Sequence, residues 1–77
     1  MTKLIAISGR HMCKLVEKLG FFAIHQKGSH IRYKHPDGRL TVVPVHGNEE
    51  LGKGLILEIL NQIKIDKNKY DELRQVV

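Results

Sequence analysis

Apolar positions recur along the chain at a helical spacing, then at a strand spacing, then at a helical spacing again. Met12, Leu15, Val16 and Leu19 fall at i, i+3, i+4 and i+7, one stripe of an amphipathic helix. Ser8 precedes the stripe as an N-cap whose hydroxyl can accept from an otherwise unpaired backbone N–H. Gly20 follows it as a left-handed stop. Arg10, Lys14, Glu17 and Lys18 form the polar side, Cys13 sits beside the stripe as a small packing residue, and His11 on the first turn is expected to face solvent.

The spacing then changes to two. Between Phe21 and Gln26, Phe22 and Ile24 alternate with Ala23 and His25, a strand pattern. A turn at Lys27-Gly28 sets Ile24 across from Ile31, Phe22 across from Tyr33 and His25 across from His30, which gathers the apolar residues on one face. In the strand that follows, His30, Arg32 and Lys34 share one face, and Ile31 and Tyr33 the other. His35-Pro36-Asp37-Gly38 favours a type I turn followed by a left-handed glycine, hence a three-residue hairpin loop. In that register Ile31 opposes Val43, Tyr33 opposes Thr41, His30 opposes Pro44, and His46 falls on the face of His30. A two-residue Asp37-Gly38 turn would move His46 to the opposite face. The bulged loop is favoured because it buries Val43 and Val45 with Ile31. The third strand runs from about Leu40 to Val45, with Pro44 marking an edge or an end.

A second helix is expected from Leu51 or Gly52 to Gln62, with Leu55, Ile56, Ile59, Leu60 and Ile63 as its stripe. Gly52 and Gly54 at its start suggest a close backbone approach or an anion site, against the plainer reading of a ragged helix end. Asp66 caps a short third helix in which Tyr70 and Leu73 pack back on the body. The order α-β-β-β-α-(α) gives an α+β fold: a two-layer sandwich of a three-stranded antiparallel sheet with its helices on one face and the other face open. Residues 1–77 read as one domain.

Composition narrows the partners. Thirteen Lys and Arg against eight Asp and Glu leave a net charge of +5, which attracts polyanions, nucleic acid foremost. The lone Cys13 excludes an internal disulfide and fits a reducing compartment. No apolar run approaches the ~20 residues that span a bilayer, and the segment before Ser8 is short for a secretory core. A cytoplasmic protein with no membrane partner is expected.

The chemistry gathers at Lys27-Gly28-Ser29-His30-Ile31-Arg32-Tyr33-Lys34. His30 can move protons near neutral pH, Lys27, Arg32 and Lys34 can hold a phosphate, and the Gly28-Ser29 backbone can offer N–H groups to it. RNA cleavage without a metal needs a base for the 2′-hydroxyl, cations for the phosphate oxygens and an acid for the leaving 5′-oxygen. DNA lacks the 2′-hydroxyl that this route uses. An ordinary solvated basic hairpin fits the same spacing. Tyr33 reads as core before it reads as a base-stacking platform, and His25 and His35 as solvated strand residues. The five histidines lack a metal-ligand spacing, the acidic residues do not cluster near His30, and no cofactor motif is present.

Gly28-Ser29-His30, the Tyr33-Lys34-His35-Pro36-Asp37-Gly38 hairpin, Val43-Pro44-Val45-His46-Gly47 and Glu50-Leu51-Gly52-Lys53-Gly54 together resemble the HicA family, the toxins of HicA/HicB toxin–antitoxin pairs. The likeness runs from about Leu15 to Leu73, and the segment Met1 to Ile7 is longer than the leader expected of that family. It implies a fold like a double-stranded-RNA-binding domain, a ribonuclease acting on mRNA, and a HicB-type antitoxin as partner. It also implies that His30 is the catalytic histidine. His46 matches a second recurrent histidine, with phosphate contact or support of the site as its expected role. The rival readings are a non-catalytic double-stranded-RNA-binding module and a protein-interaction domain whose basic face docks an acidic partner.

Overall fold

The computed structural model describes residues 3–77; Met1 and Thr2, at the start of the segment before Ser8, lie outside the described residues. The elements are α1 (Gly9–Lys18), β1 (Phe22–Lys27), β2 (His30–Lys34), β3 (Leu40–Pro44), α2 (Lys53–Ile63) and α3 (Lys67–Val76). The strands form one antiparallel sheet in the order β1-β2-β3, and α1 and α2 pack on β3. This is the expected α+β arrangement, with the helices against one face of the sheet and the other face open.

The helices form where periodicity and caps coincide. The Ser8 hydroxyl accepts from the His11 N–H at 3.1 Å, and Asp66 does the same for Lys69 at 2.8 Å. Met12, Leu15 and Val16 of α1 meet Val43 of β3 and Ile56, Ile59 and Ile63 of α2, with Tyr70 of α3 closing the far side. Fully burying an aliphatic side chain of this size stabilises the fold by ~1.5–3 kcal/mol. Gly52 precedes α2 without a side-chain cap, and a Cβ at Gly52 or Gly54 would meet open space. The close backbone approach suggested by these glycines is absent.

The β2–β3 hairpin has the expected loop. The Gly38 N–H donates to the His35 carbonyl and the His35 N–H to the Arg39 carbonyl, both at 2.9 Å, and Gly38 is left-handed at φ 100°. Ile31 faces Val43, Tyr33 faces Thr41 and His30 faces Pro44, as the spacing predicts. The loop also serves the helices. Arg39 reaches the last carbonyl of α2 at Ile63, and its guanidinium lies 5.1 Å above the Phe21 ring. The His35 ring accepts from the Asp37 N–H at Nδ1, which leaves Nε2–H to donate to the Leu19 carbonyl at the end of α1 at 3.2 Å. His35 is therefore a half-buried structural residue, not a solvated one. His11 also departs from expectation: its Nε2 lies 2.9 Å from the Arg74 carbonyl, tying α1 to α3.

The β1–β2 register differs from the expected one. The loop is Gly28-Ser29, so Lys27 faces His30 and His25 faces Arg32. This slip of two residues preserves the faces. A bulge between Ala23 and His25 does not. Beyond it, Ala23 faces Tyr33 and Phe22 faces Lys34, so Phe22 moves to the open face. Phe22 and Ile24 are 48% and 44% exposed, while Phe21 is 3% exposed. Adjacent strand residues point to opposite faces. Burying Phe21 against His35 and Arg39 therefore sends Phe22 outward, and the apolar residues do not gather on one face.

Candidate active site

The two-residue loop sets the site. Gly28 is left-handed at φ 59° and Ser29 is not, the combination that a type II′ hairpin turn requires. The turn makes Lys27 the last residue of β1 and His30 the first of β2, side by side across the ladder. Arg32 lies one step along the same face. His25, Lys27, Gly28, Ser29, His30, Arg32 and Val42 line a concavity on the open face. His30, Lys27 and Arg32 are exposed.

The end of β3 brings the second histidine in. The Val45 N–H donates to the Ser29 carbonyl at 2.7 Å, which fastens the strand exit to the Gly28-Ser29 turn. The His46 ring then stands 6.4 Å from the His30 ring, perpendicular to it, with Nε2 3.4 Å from the Ser29 hydroxyl. His46 is on the side of His30, as the bulged hairpin predicts. A residue without functional chemistry holds this exit in place. A Cβ on Gly9, at the start of α1, would fall 2.0 Å from the Pro44 carbonyl oxygen, so only glycine permits α1 to lie this close to β3.

The structure thus brings together Lys27, Gly28, Ser29, His30, Arg32 and His46. Lys34 shares the face but not the concavity: four residues from His30, it is about 13 Å away along the strand. The ion pairs of Lys and Arg among the described residues are Arg39–Asp37, Lys69–Glu72 and Arg74–Asp71, which leaves Lys27, Arg32 and Lys34 outside any of them. On the other side of His30, Glu58 and Gln62 of α2 line a groove with Val42 and Pro44. Sequence reading passed over Glu58 because helical periodicity records it only as a wet position. It passed over Gly9 because a close contact between distant segments leaves no mark on local spacing. Among the described residues no three His, Cys, Asp or Glu side chains converge to hold a metal ion. No helix among them is long and apolar enough to cross a membrane.

Comparison with curated proteins gives no match. Residues 9–65, from the first residue of α1 to just past α2, match a family model described as "HicA toxin of bacterial toxin-antitoxin". The match contains the whole sheet, the Gly28-Ser29 turn and both histidines. The chain belongs to the HicA toxin family.

Proposed function

We propose that this chain is a metal-independent endoribonuclease acting on mRNA, the toxin of a toxin–antitoxin pair, with His30 as a general acid/base. One observation carries the reading: an exposed histidine stands at a tight two-residue turn, with Lys27 across from it and Arg32 beside it, none of the three paired with a carboxylate among the described residues. Lys27 and Arg32 neutralise the phosphate oxygens, the Gly28-Ser29 backbone orients them, and His30 exchanges a proton with the ribose or the leaving oxygen. The family supplies the toxin role and implies an antitoxin partner. A HicB-type antitoxin laid over the open sheet face would keep RNA away from His30.

The test is cleavage of RNA in EDTA by wild type and His30→Ala, with a thermal melt of each. Wild type should cut. The variant should melt like wild type and cut at least ~10²-fold more slowly, the usual contribution of a positioned acid or base. Equal cutting by both would remove His30 from the chemistry. RNA binding without cleavage by either would establish a double-stranded-RNA-binding module instead. Cleavage that survives saturating antitoxin would reject the blocking of this face.

A further inference from the structure

We propose that His46 is the second proton-transfer group of this site: it protonates the departing 5′-oxygen while His30 takes the proton from the 2′-hydroxyl. The inference rests on the ribonuclease reading above and names the group that reading lacks.

In-line displacement at phosphorus places the entering and leaving oxygens at opposite ends of one axis. A single side chain at one end leaves the other proton transfer to water. Two side chains serve both ends if each comes within about 2.6–3.2 Å of its oxygen. The His30 and His46 ring centroids, 6.4 Å apart, leave the rings too distant to bond to each other and close enough for one phosphate lying across both to meet each. Their planes are perpendicular, an edge-to-face arrangement and not a stacked one.

His46 is also aimed. Its Nε2 faces an alcohol oxygen, the Ser29 hydroxyl at 3.4 Å, on the turn that would hold the phosphate. A departing ribose oxygen is chemically the same kind of partner. The aim has a backbone cause, since the Val45 N–H to Ser29 carbonyl bond fixes the residue before His46 to that turn. The other candidates lack such a tie. His25 lies opposite Arg32, two ladder positions from Lys27 and His30. Glu58 reaches the groove on the far side of His30 from α2.

The step balances. The 2′-hydroxyl proton passes to neutral His30, the bond from the 2′-oxygen to phosphorus forms, and the bond from phosphorus to the 5′-oxygen breaks. The His46 imidazolium gives its proton to that 5′-oxygen. The products are a 2′,3′-cyclic phosphate and a free 5′-hydroxyl, and proton exchange with water restores both histidines.

A pair of substrates tests this: an RNA oligonucleotide with one cleavage site, and the same strand with sulfur replacing the bridging 5′-oxygen at that site. A thiolate leaves without being protonated, so the sulfur strand does not need the acid. Wild type, His30→Ala, His46→Ala and His46→Gln are compared in EDTA, with the product ends identified. His46 is exposed, and the variants should melt like wild type. Both His46 variants should cut the oxygen strand at least ~10²-fold more slowly than wild type and the sulfur strand at close to the wild-type rate. His30→Ala should be slow on both. The inference is overturned if the His46 variants are equally slow on both strands or unimpaired on both. It is also overturned if His25→Ala shows the sulfur rescue instead. Wild type that cuts neither strand would overturn the ribonuclease reading itself, an outcome distinct from these.

Discussion

Tyr33 was legible in the sequence as a core residue, since its alternation partner is Ile31, and it is 2% exposed. Its partners were not legible. The hydroxyl donates to Glu17 Oε2 at 2.6 Å, a bond from β2 to α1 that pairs a core position with one read as wholly wet. Burial above all, then its bonds to Cys13 and Glu17, pushes the Tyr33 phenol far up. Burial likewise pushes Tyr70 up to about 12, and its hydroxyl donates to the Ile5 carbonyl at 2.5 Å. A raised folded value means that the fold favours the neutral phenol. The associated stability is complete below the unfolded value of about 10 and is lost as pH rises towards the folded one. Alkaline unfolding should therefore begin above about pH 10, with phenolate absorbance appearing together with the loss of helical circular dichroism. Phenolate appearing near pH 10 while the helices persist would show that the two rings are wetter than their packing implies. His11 and His35 were misread for one shared reason. Each bonds a carbonyl far away in the chain, and spacing carries no record of that.

Among the elements, the β2–β3 hairpin follows the sequence reading and the β1–β2 hairpin does not. Pro36 and Gly38 admit two loops, and burial of Val43 and Val45 with Ile31 selects the one that the β2–β3 pairing shows. Gly28 can serve as either central residue of a turn, and nothing nearby decides between them. The bulge was harder still. It depends on which of two adjacent phenylalanines enters the core, and that is settled by Arg39 and His35 from the next hairpin. Gly9 exerts a similar control over β3. Gly9→Ala should destabilise the protein by about 1–3 kcal/mol, the usual cost of overpacking, as measured by urea unfolding. It should also move the His46 ring resonances, because the displaced Pro44 lies two residues before that histidine. Unchanged stability with unmoved His46 signals would mean that α1 and β3 sit less closely than the geometry requires.

For the whole molecule, the charge balance is the property that sequence alone states in full, and the structure shows where it is concentrated. The net +5 includes three cations on the open face, Lys27, Arg32 and Lys34, with no ion-pair partner among the described residues. RNA affinity should fall linearly with salt on logarithmic axes. Lys27→Gln should reduce that slope by about 0.7 on single-stranded RNA, the value for one phosphate contact. An unchanged slope would place Lys27 outside the RNA contact. The same face carries exposed Phe22 on β1, a strand at the border of the sheet, and Ile24 at the bulge is exposed as well. A border strand offers unpaired backbone groups to any other chain, and exposed apolar side chains make that offer stronger. The extra residue at Ile24 interrupts the strand in its middle, so a neighbouring copy meets no long regular run on which to add. The irregularity that spoils the pairing rule thus works against chain-to-chain pairing along the β1 edge.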